Sequence, residues 1–120
     1  VVTLLIKREK FMSEWINVCA ESDLVAGTGV CALVGGEQVA VFKTRKEQAI
    51  YAIGNYDPIG KANVLSRGIL GSVGDELVVA SPLYKQHFNL ATGQCLEESE
   101  VSVKSYPARI EAGKIQVQSA

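Results

Sequence analysis

Short apolar segments rich in β-branched residues, separated by turn-forming residues, recur along most of this chain. From Trp15 onward the apolar residues follow a period of two rather than 3.6, which favours strands over helices. Residues 28–34 and 38–43 are two such segments, and the Gly35-Gly36 pair between them predicts a hairpin. Short strands joined by turns every 8 to 12 residues or so, about the spacing seen here, are typical of β-sandwiches and small barrels. The chain is therefore predicted to be all-β, an antiparallel sandwich of small sheets.

The same pattern predicts five further strands. They are residues 48–53, 76–80, 87–90, 101–110 and 114–118. Pro107 predicts an edge position or a bulge in the long fourth segment, because proline cannot donate a ladder hydrogen bond. Only residues 22–25 and 63–66 suggest helical turns, and Ser22 with Asp23 is predicted to cap the first of them.

The charge balance excludes several classes of partner. The 120 residues carry a net charge of −1, whereas nucleic-acid binding needs a clustered basic face and binding to anionic lipid needs a polybasic patch. No apolar run approaches the roughly 18 residues that a membrane-spanning helix requires. Residues 1–6 are apolar and precede the first charges, the reverse of the order in a secretory signal. The expected location is therefore the cytoplasm, with no nucleic-acid or membrane partner.

The first eleven residues, which precede Met12, differ in character from the rest of the chain. We expect residues 1–11 to be an N-terminal extension and residues 12–120 to form the domain proper. The alternative is an additional edge strand over residues 1–7, because that segment is strongly β-prone. No repeat or linker divides the remainder, so a single domain is predicted.

The three cysteines and the single histidine offer little chemistry. Cys19, Cys31 and Cys95 are widely spaced, which does not indicate a disulfide framework, and their apolar neighbours predict buried thiols in a reducing compartment. A zinc site made from these thiols and His87 would lack the close ligand pairs of structural zinc sites. His87 is expected to be exposed if Phe88 points inward. No catalytic residue and no metal ligand is predicted.

Two segments resemble the cluster-binding loops of Rieske iron–sulfur domains. They read Asn-Tyr-Asp-Pro-Ile at residues 55–59, the first loop, and Ser-Pro-Leu-Tyr-Lys at residues 81–85, the second loop. The residues that fit the pattern following the second loop of Rieske ferredoxins are Phe88, Leu90, Thr92 and Gly93. In that family the loops carry Cys-x-His and Cys-x-x-His, so that two histidines and two thiolates bind the cluster. The four matching positions here are Asp57, Ile59, Ser81 and Tyr84. The resemblance therefore implies a Rieske-like fold without the cluster, and no cofactor in this chain.

A narrower resemblance extends over nearly the whole domain. In chain order, residues 28–33, 37–42, 64–68, 79–83 and 102–104 are similar to the small subunits of cytoplasmic NAD(P)H-dependent assimilatory nitrite reductases. That resemblance implies a large-subunit partner that carries siroheme, FAD and an iron–sulfur cluster and reduces nitrite to ammonium. This chain would then be a non-catalytic subunit. Two alternatives stay open: a free-standing binding module on a degenerate Rieske fold, and an electron-transfer protein with an unusual metal.

Without a cluster, the tip formed by the two loops must be held by packing and hydrogen bonds. Ile59, Leu83 and Tyr84 are expected to fill the vacated space, and Asp57 and Ser81 to accept hydrogen bonds from backbone N–H groups in the tight turns. The outer surface of the tip is expected to dock on the large subunit, since aromatic residues and arginine are favoured interface anchors. Its residues are Tyr56, Lys61, Arg67, Tyr84, Lys85 and Gln86. The alternative is that these are ordinary loop residues.

Overall fold

The computed structural model describes residues 14–119, which form twelve β-strands and two single-turn 3-10 helices. The strands are β1 (Trp15–Ala20), β2 (Gly29–Val34), β3 (Glu37–Lys43), β4 (Ile50–Gly54), β5 (Tyr56–Asp57), β6 (Ala62–Asn63), β7 (Ile69–Val73), β8 (Glu76–Ala80), β9 (His87–Asn89), β10 (Ser105–Tyr106), β11 (Ala108–Glu111) and β12 (Lys114–Gln118). The 3-10 helices are Glu21–Asp23 and Leu65–Arg67. The proposed extension over residues 1–11 and the alternative strand over residues 1–7 lie outside the described part of the chain.

The strands form four antiparallel sheets, which confirms the predicted fold class. Three strands in the order β1-β12-β11 form one sheet, and four in the order β10-β4-β3-β2 form another. A two-stranded pair, β5-β6, and a three-stranded sheet, β7-β8-β9, complete the fold. Within residues 14–119 no helix is long and apolar enough to cross a membrane.

The buried side chains form two cores on either side of β3. The framework core consists of Leu24, Val34, Val39, Val41, Ala52, Tyr106, Ile115 and Val117. The loop-side core consists of Ala40, Phe42, Ile53, Leu65, Val79, Phe88, Leu90 and Cys95. Val39 and Val41 face the first, Ala40 and Phe42 face the second, and all four are fully buried. Because β3 is covered on both faces, its sequence is a continuous apolar run rather than an alternation.

The single long strand predicted over residues 101–110 is wrong. Ser105–Tyr106 pairs with β4, whereas Ala108–Glu111 pairs with β12 in a different sheet. Pro107 stands between the two pairings, where its missing N–H and fixed φ are compatible with a change of sheet.

The predicted cap of the first 3-10 helix by Ser22 and Asp23 is also wrong. Ala20 occupies the N-cap position, without a capping side-chain hydrogen bond.

Candidate functional site

The two loops meet through a direct contact between two of the four predicted ligand positions. Ser81 Oγ donates a hydrogen bond to Asp57 Oδ2 over 2.5 Å, and both residues are 0% exposed. Asp57 ends β5, and Ser81 directly follows β8, so two different sheets position the pair. The distance is in the range of hydroxyl-to-carboxylate hydrogen bonds, which are stronger than neutral ones.

The other carboxyl oxygen of Asp57 organises the first loop. Asp57 Oδ1 accepts hydrogen bonds from the backbone N–H groups of Ile59 at 2.8 Å and Gly60 at 3.0 Å, an Asx-type turn. Lys61 N also donates to the Asp57 carbonyl oxygen over 2.7 Å. A Cβ at Gly60 would lie 2.5 Å from Leu83 Cδ1, so glycine at this position permits the close approach of the second loop.

Ser81 organises the second loop in the same manner. Its Oγ accepts a hydrogen bond from Leu83 N at 3.3 Å, while its backbone N–H donates to the Gln86 carbonyl at 2.9 Å. Lys85 N donates to the Ser81 carbonyl at 3.1 Å, and Lys85 adopts a φ of +68° to close the turn. Asp57 and Ser81 therefore accept backbone hydrogen bonds as expected, and their side chains also form a hydrogen bond with each other.

The positions that match the two histidine ligands behave differently from each other. Ile59 is half-buried and packs against the loop-side core. Tyr84 is 65% exposed, so the expectation that it fills the vacated space is wrong. Leu83 is 44% exposed, but its Cδ1 lies close to Gly60 of the first loop. The direct hydrogen bond between Asp57 and Ser81 joins the loops without a contribution from Tyr84.

The side chains at the four positions do not fit a [2Fe–2S] cluster. Rieske irons are bound by thiolates and imidazoles, whereas here a carboxyl and a hydroxyl group bind each other, one side chain is a hydrocarbon and one is an outward-facing phenol. Across residues 14–119, no group of three or more histidine, cysteine, aspartate or glutamate side chains is placed to hold a metal ion. The loops form a self-contained hydrogen-bonded tip.

The structure separates the six residues proposed for the docking surface into two groups. Tyr56 and Tyr84 are 48% and 65% exposed, and Lys61 and Lys85 are exposed beside them in the two loops. Gln86 is half-buried, and its Oε1 finds no hydrogen-bond donor among the described residues. Arg67 is exposed but lines a groove beside β7, to which none of the other five contributes.

A hydrogen-bonded pair of side chains next to the second loop, His87 and Glu97, has no counterpart in the sequence prediction. His87 Nδ1 lies 2.6 Å from Glu97 Oε2, and the backbone N–H of His87 donates to Glu97 Oε1 at 2.8 Å. Partial burial raises the pKa of Glu97, but hydrogen bonds from His87 and from the backbone of Glu97, together with the electrostatic effect of His87, outweigh it and lower that pKa below its ordinary value. The pair joins residues that are ten apart in sequence, which is why no local pattern reveals it.

We expect Glu97→Gln to destabilise the protein at neutral pH and to have no such effect in acid. The pKa of Glu97 in the folded protein is lower than its ordinary value of 4.5. The ionised side chain therefore contributes fully to the free energy of unfolding above pH 4.5, and this contribution disappears as the pH falls through the pKa of the folded state. Because the glutamate side chain is 46% exposed, the loss at neutral pH should be only about 0.5 to 1 kcal/mol. Urea denaturation of both proteins across pH 3 to 7 measures this, and a pH-independent difference would contradict it.

The prediction of buried thiols is confirmed for Cys95 and wrong for Cys31. Cys95 is buried in the loop-side core and Cys19 is half-buried, but Cys31 is exposed. Cys31 lies on β2, an edge strand of its sheet, and its Sγ contacts Gln38 Oε1 at 3.5 Å and Asn55 Nδ2 at 3.4 Å. Burial and the nearby Asp23 raise the pKa of the Cys19 thiol. The apolar neighbours of Cys31 face the framework core from alternate positions of the strand and do not bury the thiol itself.

Comparison with known proteins matches this architecture to one family. The model of the Rieske-like [2Fe-2S] domain family matches residues 14–118. The nitrite reductase (NADH) small subunit of Salmonella typhimurium is 50% identical over 106 residues, which cover 88% of this chain and 98% of that protein. The NMR structure of the E. coli protein NirD matches with a TM-score of 0.82 at 46% identity, covering 89% of this chain and 97% of that one.

A third relative carries a similar domain within a much longer protein. The NAD(P)H nitrite reductase large subunit of Klebsiella oxytoca is 38% identical over 103 residues, which cover 86% of this chain but only 11% of that protein. The chain thus shares its fold with small subunits of nitrite reductase and is 46% to 50% identical to them over 106 aligned residues. It belongs to the Rieske-like domain family and, within it, to the small subunits of nitrite reductase.

Proposed function

We propose that this chain is the small, cluster-free subunit of a cytoplasmic NAD(P)H-dependent assimilatory nitrite reductase. It supports a large subunit that carries siroheme, FAD and an iron–sulfur cluster and reduces nitrite to ammonium. The observation that carries the proposal is the 50% identity over 98% of the Salmonella typhimurium small subunit. The similar region inside the Klebsiella oxytoca large subunit supports a close association, because there both parts share one polypeptide.

In this proposal the chain contributes a surface rather than a redox group. The hydrogen bonds of Asp57 and Ser81 hold the two loops where a cluster would otherwise join them. A preorganised tip loses little conformational entropy on binding, which favours affinity for a partner. Electron transfer from the nicotinamide to nitrite then takes place within the large subunit.

Reconstitution tests the proposal directly. We expect nitrite-dependent NADH oxidation by the isolated large subunit to increase when this chain is added in stoichiometric amount, and the two chains to elute together in gel filtration. Iron analysis and a visible spectrum of this chain alone provide the control. Tightly held iron with thiolate absorption would instead favour an electron-transfer protein, and the absence of any complex would favour a free-standing module.

We further propose that the outer surface of the tip docks on the large subunit. Tyr84 is 65% exposed and Lys85 is exposed beside it, and truncation of two interface anchors typically weakens binding by about tenfold or more. We therefore expect the double variant Tyr84→Ala/Lys85→Ala to lose that much affinity in calorimetric titration. Lys114→Ala, in the exposed start of β12, is the matched control. Unchanged affinity of a folded double variant would remove the tip from the interface.

A further inference from the structure

Strand β7 is an unprotected sheet edge. It pairs with β8 on one side, and no described strand, from residue 14 to residue 119, pairs with its other side. Its sequence, Ile-Leu-Gly-Ser-Val, contains no charge and no proline, and its register with β8 is unbroken. Natural proteins usually block such edges with charged residues, prolines or bulges, because an open edge is a template for another strand.

The geometry of the hairpin identifies which backbone groups face outward. Gly74, with a φ of +61°, and Asp75 form the two-residue turn between Val73 and Glu76. Residues that flank such a turn form a hydrogen-bonded pair, and the pairs then alternate along the ladder. Leu70 and Ser72 therefore direct their N–H and C=O groups away from β8. None of these groups has a hydrogen-bond partner among the described residues.

The outer face of β7 is apolar as well as open. Ile69 is 73% exposed and Val73 is 42% exposed, whereas Leu70, on the opposite face, packs against the loop-side core. Between them, a Cβ added at Gly71 would meet no atom within 4 Å. A strand laid beside β7 would therefore gain apolar contacts as well as main-chain hydrogen bonds.

The edge borders a positively charged groove of about 690 Å³. Arg45 and Lys46 also line this groove, as does Arg67, which lies two residues before the start of β7. Glu47 is the single carboxylate among the described lining residues. The guanidinium group of Arg45 extends over Gly27, where an added Cβ would lie 2.3 Å from Nε. The excess of positive charge favours an occupant with acidic side chains.

We propose that β7 receives an extended segment of the large subunit as an additional strand. Such a segment carries apolar side chains toward Ile69 and Val73 and at least one carboxylate toward Arg45, Lys46 and Arg67, a form of β-augmentation. The identity of the occupant rests on the proposed function. The edge is continuous with the tip, because Ile69 pairs with Ala80, the residue before Ser81. One segment can therefore pass from the tip along the edge.

Hydrogen–deuterium exchange at single-residue resolution tests this on the unmodified chain. On binding of the separately purified large subunit, the amides of Leu70 and Ser72 should exchange at least about tenfold more slowly, as newly formed hydrogen bonds require. The amides of Gly71 and Val73, already bonded to β8, serve as internal controls and should change little. Unchanged exchange at Leu70 and Ser72 in the complex would overturn the proposal.

A variant provides a second test. Ser72→Pro removes an outward N–H without removing a bond to β8, and its ring blocks an incoming strand. We expect affinity for the large subunit to fall at least about tenfold, while Ser72→Ala stays within about twofold of the unmodified chain. Arg45→Glu/Lys46→Glu should also weaken binding, whereas Lys114→Glu should not. Circular dichroism reports whether each variant is folded. If Ser72→Pro does not fold, the exchange experiment on the unmodified chain tests the proposal by itself.

The outcomes separate this proposal from the proposed function. If the unmodified chain fails to bind the large subunit, both are overturned. If it binds but Ser72→Pro, folded, binds equally well, only the role of the edge is overturned. If sedimentation shows that Ser72→Pro dissociates a homodimer while the affinity for the large subunit is unchanged, the edge pairs two copies of this chain, which also overturns the proposal.

Discussion

Asp57→Ala is expected to lower the free energy of unfolding by about 3 to 5 kcal/mol, because it removes one acceptor group from three hydrogen bonds at a buried position. The Ser81 hydroxyl would remain buried without its acceptor, and the N–H groups of Ile59 and Gly60 would lose theirs. Leaving a buried donor unpaired costs more than the bond contributes when it is formed. Urea denaturation at neutral pH, followed by fluorescence of Trp15, measures the loss.

A double-mutant cycle distinguishes this mechanism from a general loss of packing. Ser81→Ala removes only the shared hydrogen bond and the contact with Leu83 N, so it should cost about 1 to 2 kcal/mol. Asp57→Ala/Ser81→Ala should cost less than the sum of the single variants, because no hydroxyl is then left unpaired. Strict additivity would show that the two side chains do not act as a unit, and would remove the basis for a self-held tip.

The contact between Asp57 and Ser81 shows how far the sequence determines this site. That each residue would bind backbone N–H groups could be predicted, since aspartate and serine followed by proline in short loops are typical of such turns. The hydrogen bond between the two side chains could not be predicted, because the residues are 24 positions apart and lie at the ends of strands in different sheets. The exposure of Tyr84 likewise depends on how the two loops meet, which no local pattern specifies.

Strand β7 illustrates the same limit for the fold. Its central residues, Gly71 and Ser72, have low β-propensity, and no local pattern marks the segment as a strand. Its conformation depends on pairing with β8, whose apolar sequence was predicted correctly. Conversely, residues 101–110 have strong local β character but are divided between two sheets, because propensity does not specify the partner strand. Local sequence thus predicted apolar strands such as β8 more reliably than the strands with which they pair.

Gly93→Ala is expected to lower the free energy of unfolding by more than about 4 kcal/mol, a large part of the roughly 5 to 15 kcal/mol that typically stabilises a folded domain. Gly93 has a φ of +81°, and a Cβ there would lie only 1.9 Å from the Val103 carbonyl oxygen. The contact cannot relax easily, because Gly93 N donates to the Asn89 carbonyl and Val103 N donates to the Gly93 carbonyl, each over 2.8 Å. Far-UV circular dichroism during urea denaturation measures the effect.

Gly36→Ala is the matched control for this prediction. Gly36 has nearly the same φ, +83°, but no atom lies within 4 Å of an added Cβ, so only backbone strain of about 1 to 2 kcal/mol is expected. The difference between the two variants therefore isolates the clash with Val103, which packs its side chain against the loop-side core. Equal losses would show that residues 101–104 can move away from the turn at little cost. In that case Gly93 would serve only as a turn residue, and the support that this segment gives to the loop-side core would be weaker than the structure indicates.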